Sequence, residues 1–180
     1  MTAKWMIYAK KADFNKIAQD FHISPVTARV IRNREVCGDE AVGRYLYGTW
    51  ENFYSPHLLK DGDLAADILL RKIKQGRRIR IVGDYDIDGV CSTYLLFQAL
   101  NRLGAWVDYE IPDRVKDGYG INEQIVQQAF EDKVDTILTC DNGISAVEQM
   151  ETAKSLGMTV MITDQQEIVK AEEREVLPRA

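Results

Sequence analysis

A chain of 180 residues, 46% apolar and 28% charged, holds enough apolar material for a packed core, which excludes a disordered tail. Four Pro and twelve Gly exclude collagen-like or linker character. The formal charge of −5 disfavours a protein that coats nucleic acid by charge alone, but leaves room for a local basic patch or for carboxylates gathered around metal ions. In chain order, Phe14, Ile17, Ala18 and Phe21 recur at helical spacing. Ser24-Pro25 reads as an N-cap followed by proline at the first helical position, opening a helix over Val26–Ile31. Asp39 is expected to cap a short helix through Tyr47. Asp63 is expected to start a longer one, with Leu64, Ala65, Ile68, Leu69 and Ile73 on one face and a stop near Gly76. Beyond Gly76 the texture changes. Strands are predicted at Ile79–Gly83, Trp106–Ile111, Thr136–Thr139 and Thr159–Ile162, with helices at Val90–Leu103, Glu123–Phe130 and Ser145–Leu156. This alternation predicts an α/β fold over residues 77–180, a mostly parallel sheet with helices on both faces, preceded by a helical region over residues 1–76. Val169–Ala180 is charged and unpatterned.

Three of the four predicted strands end in aspartate. The first runs into Asp84-Tyr85-Asp86-Ile87-Asp88-Gly89, the third into Asp141 and the fourth into Asp164. Ligands of an open parallel sheet bind outside the carboxyl ends of its strands, so these five acids are expected on one rim. They would repel one another unless cations neutralise them, which points to a two-ion site for Mg²⁺ or Mn²⁺. A lone Asp after a strand is as often a turn former or helix N-cap, but five acids on three strand ends exceed that explanation. An EF-hand loop is rejected, because the twelfth position from Asp84 is Leu95 where that loop needs Glu. Gly83 and Asn142-Gly143 read as tight turns, a reading compatible with close backbone approach to a metal-bound phosphate.

Six basic residues crowd into Arg71–Arg80, where a solvated helix end is preferred over a phosphate-tracking patch. Arg114 and Lys116 are the stronger nucleic-acid candidates, because they lie beside Gly118-Tyr119-Gly120, whose tyrosine could stack a base. Cys37, Cys91 and Cys140 stand far apart with no Cys/His cluster, so a zinc ribbon is excluded and a reducing, cytoplasmic setting is expected. The opening residues carry no long apolar run, so neither a secretory leader nor a membrane association is expected.

Gly83-Asp84-Tyr85-Asp86-Ile87-Asp88-Gly89-Val90 resembles the first motif of the DHH phosphoesterase family. His22–Pro25, Asn33-Arg34, Pro56–Asp61, Ile111–Arg114, Asp117–Asn122 and Asp141–Ser145 are similar, in order, to the single-stranded-DNA-specific 5′→3′ exonucleases of that family. The resemblance implies a Rossmann-like metal domain that hydrolyses phosphodiester bonds in DNA repair and recombination, with the strand threading between it and a second domain. It implies Asp84, Asp86 and Asp88 as first-motif metal ligands, Asp141 as the ligand bridging two ions of Mn²⁺ or Mg²⁺, and Asp164 as the start of the third motif. These five would form the catalytic centre, and Arg114, Lys116, Gly118, Tyr119 and Asn122 would lie near the DNA path.

The third motif departs from the family pattern, reading Asp164-Gln165-Gln166 where the family has Asp-His-His. A neutral amide is a weak metal ligand and does not titrate near neutral pH, so it cannot serve as a general acid. The family also continues with a further metal-binding Asp and a second domain. The chain is therefore expected to be truncated at the C-terminal end of its DHH domain and weak or inactive as a nuclease. The alternative expectation is a non-catalytic family module that binds single-stranded DNA or a replication or repair protein.

Overall fold

The computed structural model describes residues 10–118 and 120–165, together with the backbone of 170–171 and 174–175. The chain divides into two compact units, Met1–Leu59 and Lys60–Ala180. The first is helical, with α1 (Phe14–Asp20), α2 (Pro25–Asn33) and α3 (Asp39–Tyr47) followed by two short 3₁₀ turns. The Ser24 hydroxyl accepts from the Thr27 N–H ahead of Pro25, as its sequence dictates. Asp39 does not cap α3. Gly38 takes that place at φ +86°, and Asp39 becomes the first helical residue, where its charge still suits the positive end of the helix.

The second unit contains α4 (Gly62–Lys74), β1 (Arg78–Val82), α5 (Ile87–Arg102), β2 (Trp106–Glu110), α6 (Glu123–Glu131), β3 (Thr136–Cys140), α7 (Val147–Ser155) and β4 (Thr159–Thr163). A two-residue antiparallel ribbon, β5 (Lys170–Ala171) with β6 (Arg174–Glu175), follows. β1 to β4 form one parallel sheet in the order β2-β1-β3-β4. Alternate residues of each strand face opposite sides. Ile79, Ile81, Leu138, Cys140 and Met161 pack with Leu96, Phe97 and Leu100 of α5 and with Ala65, Ile68, Leu69 and Ile73 of α4. Leu64, expected on the same helix face, is exposed. On the other side, Val82, Ile137 and Val160 meet Ile125, Val126 and Ala129 of α6 and Met150 and Ala153 of α7. Coverage of both faces fits the consecutive apolar residues at the centres of β3 and β4, Ile137-Leu138 and Val160-Met161-Ile162.

β1 also carries a buried charge. Arg80 is only 6% exposed in the middle of β1. Its guanidinium donates to both Asp108 oxygens at 2.8 and 3.0 Å and to Asp132 at 2.8 Å, and pairs with Glu110 at 3.4 Å. Arg78 donates to Asp108 at 2.6 Å, and Asp135 takes Lys72 and, at 3.8 Å, Arg77. Four of the six crowded basic residues are thus bound up within the unit. No helix among the described residues is long and apolar enough to cross a membrane.

Candidate metal centre

β1 has neighbours on both sides, β2 and β3, so the chain's winding direction reverses between β1 and β3. A crevice opens at the carboxyl ends of two such strands. The segment after β1 supplies Asp84 and Asp86, and the segment after β3 supplies Asp141. One carboxylate oxygen from each of the three lies within 4.8 Å of the others.

Each acid is held differently. Asp84 is 2% exposed, and its Oδ1 has no hydrogen-bond partner among the described residues. The first turn of α5 presses against it. A Cβ on Gly89 would stand 2.5 Å from the Asp84 carbonyl oxygen and 2.6 Å from its Cβ, so only glycine fits there. Asp86 caps α5 by accepting from the Gly89 N–H at 2.9 Å. Asp141 adopts a left-handed backbone, φ +60°, which Asp tolerates better than most residues. Its N–H donates to the Thr163 carbonyl at 2.9 Å, and the Gln165 amide donates to its Oδ1 at 3.3 Å. Beneath the site, the fully buried Asn142 donates through Nδ2 to the carbonyls of Val82 and Cys140, both at 3.0 Å, tying the ends of β1 and β3 together. Gly143 turns the chain at φ +106° directly over Thr139.

Asp88 and Asp164 stand beside the group of three. With Asp141 and Gln165 they line a cleft of about 450 Å³ whose apolar wall is Leu95, Leu96 and Cys140. Asp164 accepts from the Ile144 N–H at 3.0 Å. A second cleft, about 490 Å³ between α1 and α2, has Asp13 as its only acid and no comparable chemistry.

Burial raises the Asp141 carboxyl above the usual range. The Gln165 hydrogen bond opposes this, and the charges of Asp86, Asp88 and Asp164 reinforce it. A buried carboxylate oxygen without a donor, among mutually repelling acids, fits a hard divalent cation with all-oxygen ligands.

The remaining candidates have mixed placements. The Arg114 guanidinium sits over the Tyr85 ring, 5.2 Å from its centroid. Lys116 is exposed, in a turn where its N–H donates to Asp113. Gly118 has φ +78°. Asn122 caps α6, accepting from the Ile125 N–H at 2.9 Å and donating to the Asp117 carbonyl at 3.2 Å, so its side chain is engaged in structure. Tyr119 and Gln166 lie outside the described residues. Sequence reasoning missed the ties made by Asn142 and the stack of Arg114 on Tyr85. Neither leaves a periodic signal, because both join segments distant in sequence.

The family model described as the DHH family, N-terminal domain, matches residues 78–178. Over 165 residues the chain is 39% identical to the single-stranded-DNA-specific exonuclease RecJ of Bacillus subtilis, covering 91% of this chain and 21% of that relative. The crystal structure of exonuclease RecJ bound to manganese superposes with a TM-score of 0.57 at 37% identity, over 60% of this chain and 28% of that one. RecJ of Thermus thermophilus in complex with Mn²⁺ gives a TM-score of 0.57 at 27% identity, over 84% of this chain and 20% of that one. The chain spans about a fifth of the length of the curated relative it matches.

Proposed function

The chain belongs to the DHH family, and from that premise we propose that its second unit is the cation-binding part of a RecJ-like exonuclease that degrades single-stranded DNA from the 5′ end in cytoplasmic repair and recombination. The observation that carries this reading is the meeting of Asp84, Asp86 and Asp141 within 4.8 Å where the winding of the sheet reverses, with a buried Asp84 oxygen left without a donor.

Asp84, Asp86 and Asp141 would hold Mn²⁺ or Mg²⁺, with Asp88 and Asp164 beside them for a second ion. Bound there, the cations would supply Lewis acidity toward the scissile phosphate. The chain's own residues supply position. Gly89 fixes Asp84 and Asp86 through one helix turn, and Asn142 fixes the distance between the two strand ends. The 113–118 turn brings Arg114 beside the first motif, where it would meet the strand's phosphates.

Gln165 sets the expected rate. Its amide donates to Asp141, and a donor facing a ligand oxygen competes with a cation for that oxygen. The reading therefore includes weak catalysis. The test is a 5′-phosphorylated single strand incubated with Mn²⁺, beside a direct Mn²⁺ titration. Mn²⁺ should bind, mononucleotide release should be slow or absent, and Gln165→His with Gln166→His should raise the rate ~10-fold or more, the scale on which residues around a metal act. Failure of Mn²⁺ to bind would overturn the proposal. The same Gln165 contact favours a second reading, a strand-binding module without catalysis. That reading is chosen if the double-His variant binds Mn²⁺ and DNA but releases no nucleotide.

A further inference from the structure

We propose that Tyr85 is a positioning residue whose ring holds the Arg114 guanidinium as a clamp for a phosphate of the bound strand, an inference that rests on the function just described. Arg114 is exposed on a tightly made turn. The Asp113 carboxylate accepts from the N–H groups of Val115 and Lys116 at 2.9 and 3.0 Å. The Asp117 carboxylate accepts from the Asp113 N–H at 2.7 Å, and the Asp117 N–H donates to the Asp113 carbonyl at 2.8 Å. Both acids of the turn are thereby directed to backbone donors. Among the described residues no carboxylate lies within ion-pair distance of Arg114, although acids stand on either side of Tyr85 in the chain. Its contact is the aromatic face, 5.2 Å to the centroid.

That arrangement suits a phosphate oxyanion. A guanidinium is planar and delocalised, so a ring beneath it fixes its plane while leaving the N–H fork free for bidentate bonding. Tyr85 joins Asp84 to Asp86, so the ring and the metal ligands move as one piece of backbone. The clamp is thereby registered to the metal centre, and Arg114 placed by this ring would take the phosphate of a strand already lying against the cations.

The test measures affinity by fluorescence anisotropy, using the full chain, a 3′-labelled 5′-phosphorylated single strand and Ca²⁺. Tyr85→Phe keeps the ring and should bind within about twofold of the unmutated chain. Tyr85→Leu should weaken binding ~3–10-fold, the scale of a partly desolvated cation–π contact. Arg114→Lys keeps the charge but loses the planar stack, and should weaken binding similarly. The Tyr85→Leu, Arg114→Lys double variant should bind no worse than Arg114→Lys alone, because the two act as one unit. Mn²⁺ affinity should be unchanged in Tyr85→Phe and in Arg114→Lys.

Additive losses, or a Lys variant that binds as well as Arg, would overturn the clamp alone. Arg114 lies on an exposed turn, so a Lys variant that binds as well as Arg overturns the clamp even if Tyr85→Leu disturbs the first motif. No strand binding by the unmutated chain would overturn the functional reading and the clamp with it.

Discussion

Asp84 carries a carboxylate into the interior with one oxygen unanswered. Without a cation that burial is costly, since an unpaired buried charge opposes folding. Asp84→Asn is therefore expected to raise the metal-free melting temperature by about 2–6 °C, the equivalent of ~1–2 kcal/mol in a chain of this size. It should also abolish stabilisation by added Mn²⁺. Thermal unfolding with EDTA and with Mn²⁺ checks both signs. Gly89→Ala should act in the opposite direction. Its methyl group has no room against Asp84, so it should destabilise by about 1–3 kcal/mol and weaken Mn²⁺ binding in the same titration. At this scale the sequence was partly legible. The spacing of Asp84, Asp86 and Asp88 before a glycine exposed the acids, because that chemistry is local. The tie from Asn142 to Val82 was not legible, because a short amide between two strands is visible only once the sheet has closed. Asp39 was misread because a preceding glycine can occupy a cap position that composition assigns to the acid.

Among the elements, β1 is the most constrained. Its Arg80 organises Asp108 and Glu110 of β2 and Asp132 beyond α6. Burial raises the Asp108 carboxyl, but the hydrogen bonds from Arg80 and Arg78 outweigh it and hold the group below its ordinary 3.8. A depressed folded value stabilises the protein above the unfolded value and is lost as pH falls through the folded one, so Asp108 contributes to an acid limb of unfolding below about pH 4. Glu110 works the other way. Burial raises it, so its contribution is present at low pH and is lost as pH rises through its folded value. Arg80→Leu should destabilise by about 2 kcal/mol, below the ~3–5 of a fully buried pair because its acidic partners are about a third exposed. It should also make the acid limb shallower. Urea titrations at pH 7 and pH 3 measure both effects. The sequence showed β1 as a strand from its alternating isoleucines. It read the basic run as a solvated helix end, whereas Arg78 and Arg80 lie in β1 and Arg80 is buried among acids. The buried network itself was hidden, because Arg80 is indistinguishable in sequence from its solvated neighbours.

At the scale of the whole molecule the two units are unequal. Among the described residues of the first, the buried apolar side chains are Ala18, Ala28, Ile31 and Val42, while Trp50, Phe53 and Tyr54 are largely exposed. The second has a core on each face of its sheet. A chain beginning at Lys60 is expected to unfold cooperatively and keep its Mn²⁺ affinity, and residues 1–59 alone are expected to show little protection from hydrogen exchange. The apolar face of α4 was plain in the sequence, which grouped the helix with a helical region over residues 1–76, whereas that face packs on the sheet of the unit beginning at Lys60. The strand order also has a consequence for synthesis. Asp84 and Asp86 leave the ribosome together, but Asp141 emerges ~3–10 s later at ordinary elongation rates, after α5, β2 and α6. A nascent chain therefore holds two of its three clustered acids while the partner strand is still unmade. The three-acid cluster is therefore complete only after β3 docks, so its assembly marks the closing of the sheet.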